Sequence, residues 1–258
     1  MRTMTIYHAL GWLLVIALGA TWEYAARAEL VSPLFLPPIS TIIVTWWKLM
    51  ADGTLPAHIL ETMRNMFAGY SLAALLAIPL GIFMGYSRPF FNLSDPTLEL
   101  IRPLPATAIV PLAILFLGIG TAEKIFVVFF TCARIIVVNA MYGARNIDPL
   151  LLETARSYGY SGLRLMWRVV FPAAMPQIVT GLRTSLPIAI VVIIAAEMLA
   201  SDKGVGFFTS LSQRTYATPE MYAGVLSLCF IGYVLNRVFQ TVDGRLMAYH
   251  HGSKEITR

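Results

Sequence analysis

Charge is the scarcest thing in this chain. Asp, Glu, Lys and Arg together make up 13% of its 258 residues, about half the share of an ordinary soluble domain. So few charges cannot clothe a water-facing surface. With 57% hydrophobic residues and a mean hydropathy of +0.70, the solvent that suits the composition is a bilayer. Cysteine is nearly absent too. Cys132 and Cys229 both sit in apolar runs, which suits packing and excludes a disulfide framework or a cysteine metal site. No Gly-x4-Gly-Lys-Ser/Thr phosphate loop occurs, so the chain does not bind ATP by that route. The four histidines, His8, His58, His250 and His251, lie outside the apolar runs or at their ends, and neither His-Glu-x-x-His nor Gly-x-Ser-x-Gly is present. An intramembrane enzyme would need convergent groups of that kind. There is no internal repeat, linker or low-complexity tract, which predicts one membrane domain over 1–258 with no bound metal or cofactor.

What is present is a series of apolar runs. A hydrocarbon core of about 30 Å needs roughly 20 apolar residues in a helix, and six spans are expected, near 9–26, 66–86, 103–118, 125–142, 178–199 and 221–239. The start, Met1-Arg2 followed by apolar Ala9 to Trp22, resembles a signal peptide. Trp22 and Tyr24 stand where small cleavage-site residues would be, so an uncleaved first span is expected. The third run carries Pro103, Pro105 and Pro111 and predicts a kinked span. Pro79 and Pro187 predict bends in the second and fifth. Between the first two runs, Ile39–Met50 has Trp46 and Trp47 beside Lys48 and reads either as an interfacial helix or as a helix buried under a cap.

Orientation follows from the excess of Lys and Arg in cytoplasmic loops. With the N-terminus inside, eleven basic residues fall on the cytoplasmic side and six outside. Arg145, Arg156, Arg164 and Arg168 lie within 24 residues of one another in the loop between the fourth and fifth runs. Both termini and that loop are expected to be cytoplasmic. The net charge of +5 and pI near 9.3 are accounted for in this way, without a nucleic-acid partner.

That loop, 148–172, is the most informative stretch. Asp148-Pro149 is a helix start signal, since Asp caps free amides and Pro fits the first helical position. A short helix over 150–157 follows, ended by Gly159, which permits a positive φ. Ser161 is placed to cap a second helix running to Phe171, before Pro172 and Pro176 redirect the chain into the fifth span.

The spacing Glu-x-Ala-x3-Gly-x9-aliphatic-x-apolar-Pro, filled by Glu153, Ala155, Gly159, Val169, Phe171 and Pro172, resembles the EAA loop of the membrane subunits of binding-protein-dependent ABC importers. Thr154 replaces the first alanine of the usual triplet, and Val169 and Phe171 stand for the usual Ile and Leu. Arg102-Pro103-Leu104-Pro105 with Val110-Pro111, Asn146-Ile147-Asp148-Pro149 and Ala196-Glu197-Met198-Leu199 look like the nitrate/sulfonate/taurine branch. The resemblance covers nearly the whole chain. It implies an all-α membrane protein with the six-helix type I importer permease fold, working as a homodimer and not itself an enzyme. Its implied partners are an ABC ATPase dimer that uses the ATP, and a periplasmic solute-binding protein that delivers a small anion. Glu153, Ala155, Arg156, Gly159 and Pro172 are the expected ATPase-coupling residues, with Ala155 and Gly159 allowing close approach and Glu153 and Arg156 making charged contacts at the rim.

Three residues are candidates for the substrate path. Arg134, mid-span, is costly unless it faces water, a partner or substrate. It either attracts an anion or pairs with backbone carbonyls or with Glu197. Glu197 is the one carboxylate expected deep in the fourth to sixth spans, ahead of the Gly-rich turn Ser201–Gly206, which reads as a hairpin or a periplasmic gate. Asn139, like Gln177, is expected to bond between helices. The alternative function, a secondary transporter coupled to an ion gradient, would call for inverted repeats and paired midplane carboxylates, and neither is apparent.

Overall fold

The computed structural model describes residues 2–251, with side chains placed for 10–241. Lys254 and Arg258 of the charge count lie outside the described residues, as do the side chains of Arg2, His8, Arg245, His250 and His251. Among the described residues every regular element is helical: α1 (Arg2–Arg27), α2 (Ile39–Ala51), α3 (Thr54–Tyr86), α4 (Arg88–Ile101), α5 (Ala106–Leu117), α6 (Thr121–Arg145), α7 (Pro149–Ser157), α8 (Gly162–Leu165), a π turn (Met166–Val170), α9 (Phe171–Leu199), α10 (Val205–Arg214) and α11 (Thr218–His251).

The core is a three-helix unit of α3, α6 and α9, and small residues set its geometry. On α3, Gly69, Ala73, Ala77, Gly81 and Gly85 recur every fourth position and so form one stripe. A Cβ at Gly69 would lie 2.6 Å from the Ile125 carbonyl oxygen, and one at Gly81 2.5 Å from that of Val137. The backbones of α3 and α6 therefore touch, as small-residue stripes permit in lipid. Residue numbers rise together along this contact, so α3 and α6 run parallel. α9 runs against both: Gly181 packs on Asn139, Gly143 packs on Ala174 and Gln177, and the Tyr70 hydroxyl donates to the Leu182 carbonyl at 2.7 Å. Met66, Val128, Cys132, Ile136, Met141 and Ile193 fill the centre.

Among the described residues four helices are long and apolar enough to cross a membrane: α3, α6, the continuous helix Gly162–Leu199, and α11 over Thr218–Thr241. A bent pair, α4 and α5, makes a possible fifth. The expected third span, 103–118, falls on α5 and the sharp break before it. α5 alone has 12 residues, about 18 Å of helix, too short for the hydrocarbon core. Pro103 and Pro105 lack the N–H donors that would carry the helix on, and the chain turns by 96° between α4 and α5. α1 exposes Leu10, Leu13, Leu14, Val15, Ile16 and Leu18, and its last turns carry the Glu23–Arg27 ion pair at 2.7 Å. Length and composition therefore account for four or five of the six expected crossings.

The 39–50 segment is a helix and is not fully buried. It is α2, which leans on α11 through Trp46, whose Nε1 donates to Ser227 Oγ at 2.9 Å, while Trp47 stays exposed. Of the two cysteines, Cys132 is buried as expected, but Cys229 is exposed on α11.

Candidate functional site

The antiparallel run of α9 gives the bundle two distinct ends. At one, the C-termini of α3 and α6 meet the start of the 162–199 helix and carry α7. At the other, the N-terminal turns of α3 and α6 meet the end of α9 and carry α10.

At the first end the Asp148-Pro149 start and the Gly159 turn read from the sequence are realised, while Ser161 stands at the N-cap of α8 without a side-chain hydrogen bond. Asp148 Oδ1 accepts the Leu150 N–H at 2.9 Å, and Pro149 occupies the first turn. Tyr160 N–H donates to the Ala155 carbonyl at 3.1 Å around Gly159, which has φ +81°. Ile147 and Leu152 root α7 on a cluster with Ile82, Ala144, Val170 and Ala174. Glu153, Arg156 and Gly159 are exposed. Ala155 is not. At 8% exposure it faces its own bundle, so its small side chain sets how closely α7 lies on the chain that carries it. The surface turned outward is larger and more apolar than expected: Leu150, Leu151 and Leu163, with Tyr158 81% exposed and Trp167 beyond the turn.

The second loop helix is also corrected. It does not end at Pro172. α8 passes through the π turn into α9 without a break, and the Phe171 N–H bonds back to Met166. Pro172 has no N–H for the Arg168 carbonyl and its ring would crowd that group. Widening the preceding turn to π spacing relieves the conflict while the axis continues. Pro172 therefore sits in the first turn of α9.

At the other end, Glu197 is 1% exposed and closes a polar clasp. Its Oε1 and Oε2 accept the Thr62 hydroxyl at 2.8 and 3.0 Å, and Oε2 also accepts the Gly206 N–H at 2.9 Å. Thr62 Oγ1 in turn accepts the Val205 N–H at 2.9 Å, and His58 Nδ1 accepts that of Gly204 at 3.1 Å. Three free amides at the start of α10 are thus satisfied by side chains of α3 and α9. Gly204 has φ +109°, and a Cβ there would run into the Glu197 carboxyl group. The Gly-rich turn is hence the socket of Glu197, and the stretch after it is the helix α10 rather than a hairpin arm. Beside the clasp, Glu123 and Lys124 are also buried, so Glu197 is not the lone deep carboxylate of the later spans.

Arg134 lies apart from the clasp. Its Nη1 donates to the carbonyls of Ile101 (3.3 Å), Arg102 (3.4 Å) and Leu104, the groups left free where α4 ends. Of the partners considered for it, backbone carbonyls are the ones met, and Glu197 is not. Asn139 Nδ2 donates to Ile135 of its own helix at 2.8 Å, so that bond is intrahelical; its contact with α9 is the packing against Gly181.

The fold is an all-helical bundle with apolar spans and a rooted helix presented at one end. The sequence profile of the binding-protein-dependent transport system inner membrane component family matches residues 77–247. The chain belongs to this family. It is 30% identical over 234 residues to the taurine transport system permease protein TauC of Escherichia coli, covering 89% of this chain and 85% of that one. It is 31% identical over 186 residues to the nitrate import permease protein NrtB of Synechocystis sp., covering 72% of this chain and 68% of that one. In fold it is similar to the MetNI methionine ABC transporter in an inward-facing conformation, with a TM-score of 0.65, 17% identity, and coverage of 74% of this chain and 95% of that one.

Proposed function

We propose that this chain is the permease subunit of an ATP-driven importer and moves a small anion of the aliphatic sulfonate, taurine or nitrate class. A periplasmic binding protein delivers the anion, and two copies of the chain enclose the path. α7 is the element on which an ABC ATPase dimer pulls, and both termini lie in the cytoplasm. The observation that carries this reading is α7 itself. Leu152, Ala155 and Ile147 fix it to the joined ends of α3, α6 and α9, while Leu150, Leu151, Glu153 and Tyr158 face outward for a partner. A displacement of α7 then moves the bundle as a rigid body. No phosphate loop is present in the chain, so the ATP is used by the partner.

Reconstitution with a co-purified ATPase and binding protein tests the reading. Uptake of a labelled sulfonate should need ATP, stop with vanadate and survive an uncoupler. Uptake that survives vanadate and stops with the uncoupler would favour the secondary transporter instead. With Cys229 replaced by Ser, a Glu153→Cys variant should crosslink to the ATPase.

A further inference from the structure

A cavity of about 470 Å³ opens at the α7 end of the bundle, between α3, α4, α6 and α7, within the size range of small-ligand pockets. Three arginines from three elements converge on it: Arg88 at the start of α4, Arg145 in the last turn of α6 and Arg156 in α7. Tyr86, Phe91 and Ile147 supply the rest of its character, an aromatic and aliphatic wall beside the cations. The Arg145 guanidinium lies 3.8 Å from the centre of the Phe91 ring, which fixes its plane. Among the described residues, none of the three arginines lies within ion-pairing distance of a carboxylate; the ion pair there is Arg27–Glu23 at the far side of the sequence. Of the acids nearest along the chain, Asp148 caps α7, and Glu153 is exposed on α7 with no ion pair to Arg156 among the described residues.

Three guanidinium groups around one cavity, with no carboxylate in ion-pairing range among the described residues, favour an anion there. Arginine forks match the oxygens of a phosphate group. The position adds a second constraint. The cavity lies where two spans, α3 and α6, end, and α4 beside it exposes Leu93 and Leu100 to whatever surrounds the bundle. A head group entering here keeps its acyl chains in the bilayer. Basic pockets between span ends are suited to anionic lipid head groups.

We infer that the Arg88–Arg145–Arg156 cavity is a phosphate-group site, filled by the head group of an anionic phospholipid. Bound there, the lipid joins α4 and α6 to α7, so membrane composition bears on how firmly α7 is held. The inference does not depend on which solute is carried. Nor does it depend on an ATPase seated on α7, because its test uses the permease alone.

The test is native mass spectrometry of the purified permease exchanged into mixed micelles of phosphatidylglycerol and phosphatidylcholine. The wild-type protein should retain phosphatidylglycerol selectively. Arg88→Gln with Arg145→Gln should lower that retention roughly tenfold or more, while the charge-matched Arg164→Gln with Arg237→Gln should leave it near wild type. An unchanged melting temperature in phosphatidylcholine shows that the double variant folds, and Arg88→Gln alone serves if it does not. Equal retention by wild type and the Arg88/Arg145 variant overturns the proposal, as does an equal loss in the Arg164/Arg237 control. Inorganic phosphate is the second probe. If it binds the wild-type cavity in lipid-free detergent and phosphatidylglycerol does not, the lipid is ruled out as the source.

Discussion

The carboxylate of Glu197 and the backbone amide of Gly206 are 2.9 Å apart, although one ends a long span and the other begins the helix after it. The bond closes the turn between α9 and α10, and the same carboxylate holds Thr62 of α3. Glu197 thereby joins three elements at the end of the bundle opposite α7.

This joint sets the first expectation. Glu197→Ala removes a buried acceptor and leaves the Gly206 amide and Thr62 hydroxyl short of partners, at a cost of about 3 kcal/mol. The melting temperature of the purified protein should fall clearly, and the 200–206 turn should become a protease site. Glu197→Gln keeps one acceptor oxygen and should recover most of the stability. Equal melting of the Ala variant and the wild type would remove the clasp from the account.

Arg134 gives a second test. If its work is to satisfy the carbonyls of Ile101, Arg102 and Leu104, Arg134→Met should lower yield and melting temperature by the loss of charge-assisted hydrogen bonds, about 1.5–3 kcal/mol. The KM of the protein that survives should not change. A raised KM for an anionic solute at normal stability would instead assign Arg134 to the path.

The α3 stripe predicts steric failure. Gly81→Leu must push a side chain into the Val137 carbonyl and the Ala140 methyl, which lie 2.5 and 2.7 Å from even a modest Cβ. Overpacking of this sort costs about 1–3 kcal/mol or more. Gly11→Leu, where nothing lies within 4 Å, is the control. Membrane yield and thermal melting of the two variants should separate sharply.

Gly159→Asp probes the loop. A Cβ at this position meets nothing within 4 Å, so the cost within the chain is the left-handed backbone alone, about 1–2 kcal/mol. Insertion and yield should therefore stay near normal while ATP-driven uptake and ATPase association are lost. Full uptake by this variant would detach the turn from coupling.

The α7 cap, the Gly159 turn and the placing of five of the apolar runs on helices were legible because each rests on local rules, such as an Asp-Pro start or a positive-φ glycine. The positions of Glu197 and Gly204 were legible as residues but not as partners, since only the fold brings Thr62 to them from 135 positions away. α10 was hidden because its buried face of Val205, Phe208 and Thr209 is short and lacks charge. The periodic stripe from Gly69 to Gly85 could have been found by counting small residues every fourth position along the cleanest apolar run. The continuation past Pro172 could not, because a π turn leaves no signature in composition.

From Gly162 to Leu199 the chain is one helix of 38 residues, about 57 Å from end to end. It starts beside the turn that follows α7 and finishes two residues beyond Glu197. This shaft joins the two ends of the bundle alongside α3 and α6, with the π turn near its base and Pro176 and Pro187 within it. Val170 and Ala174, which help seat α7, and Glu197, which holds the far clasp, therefore all lie on this one continuous element.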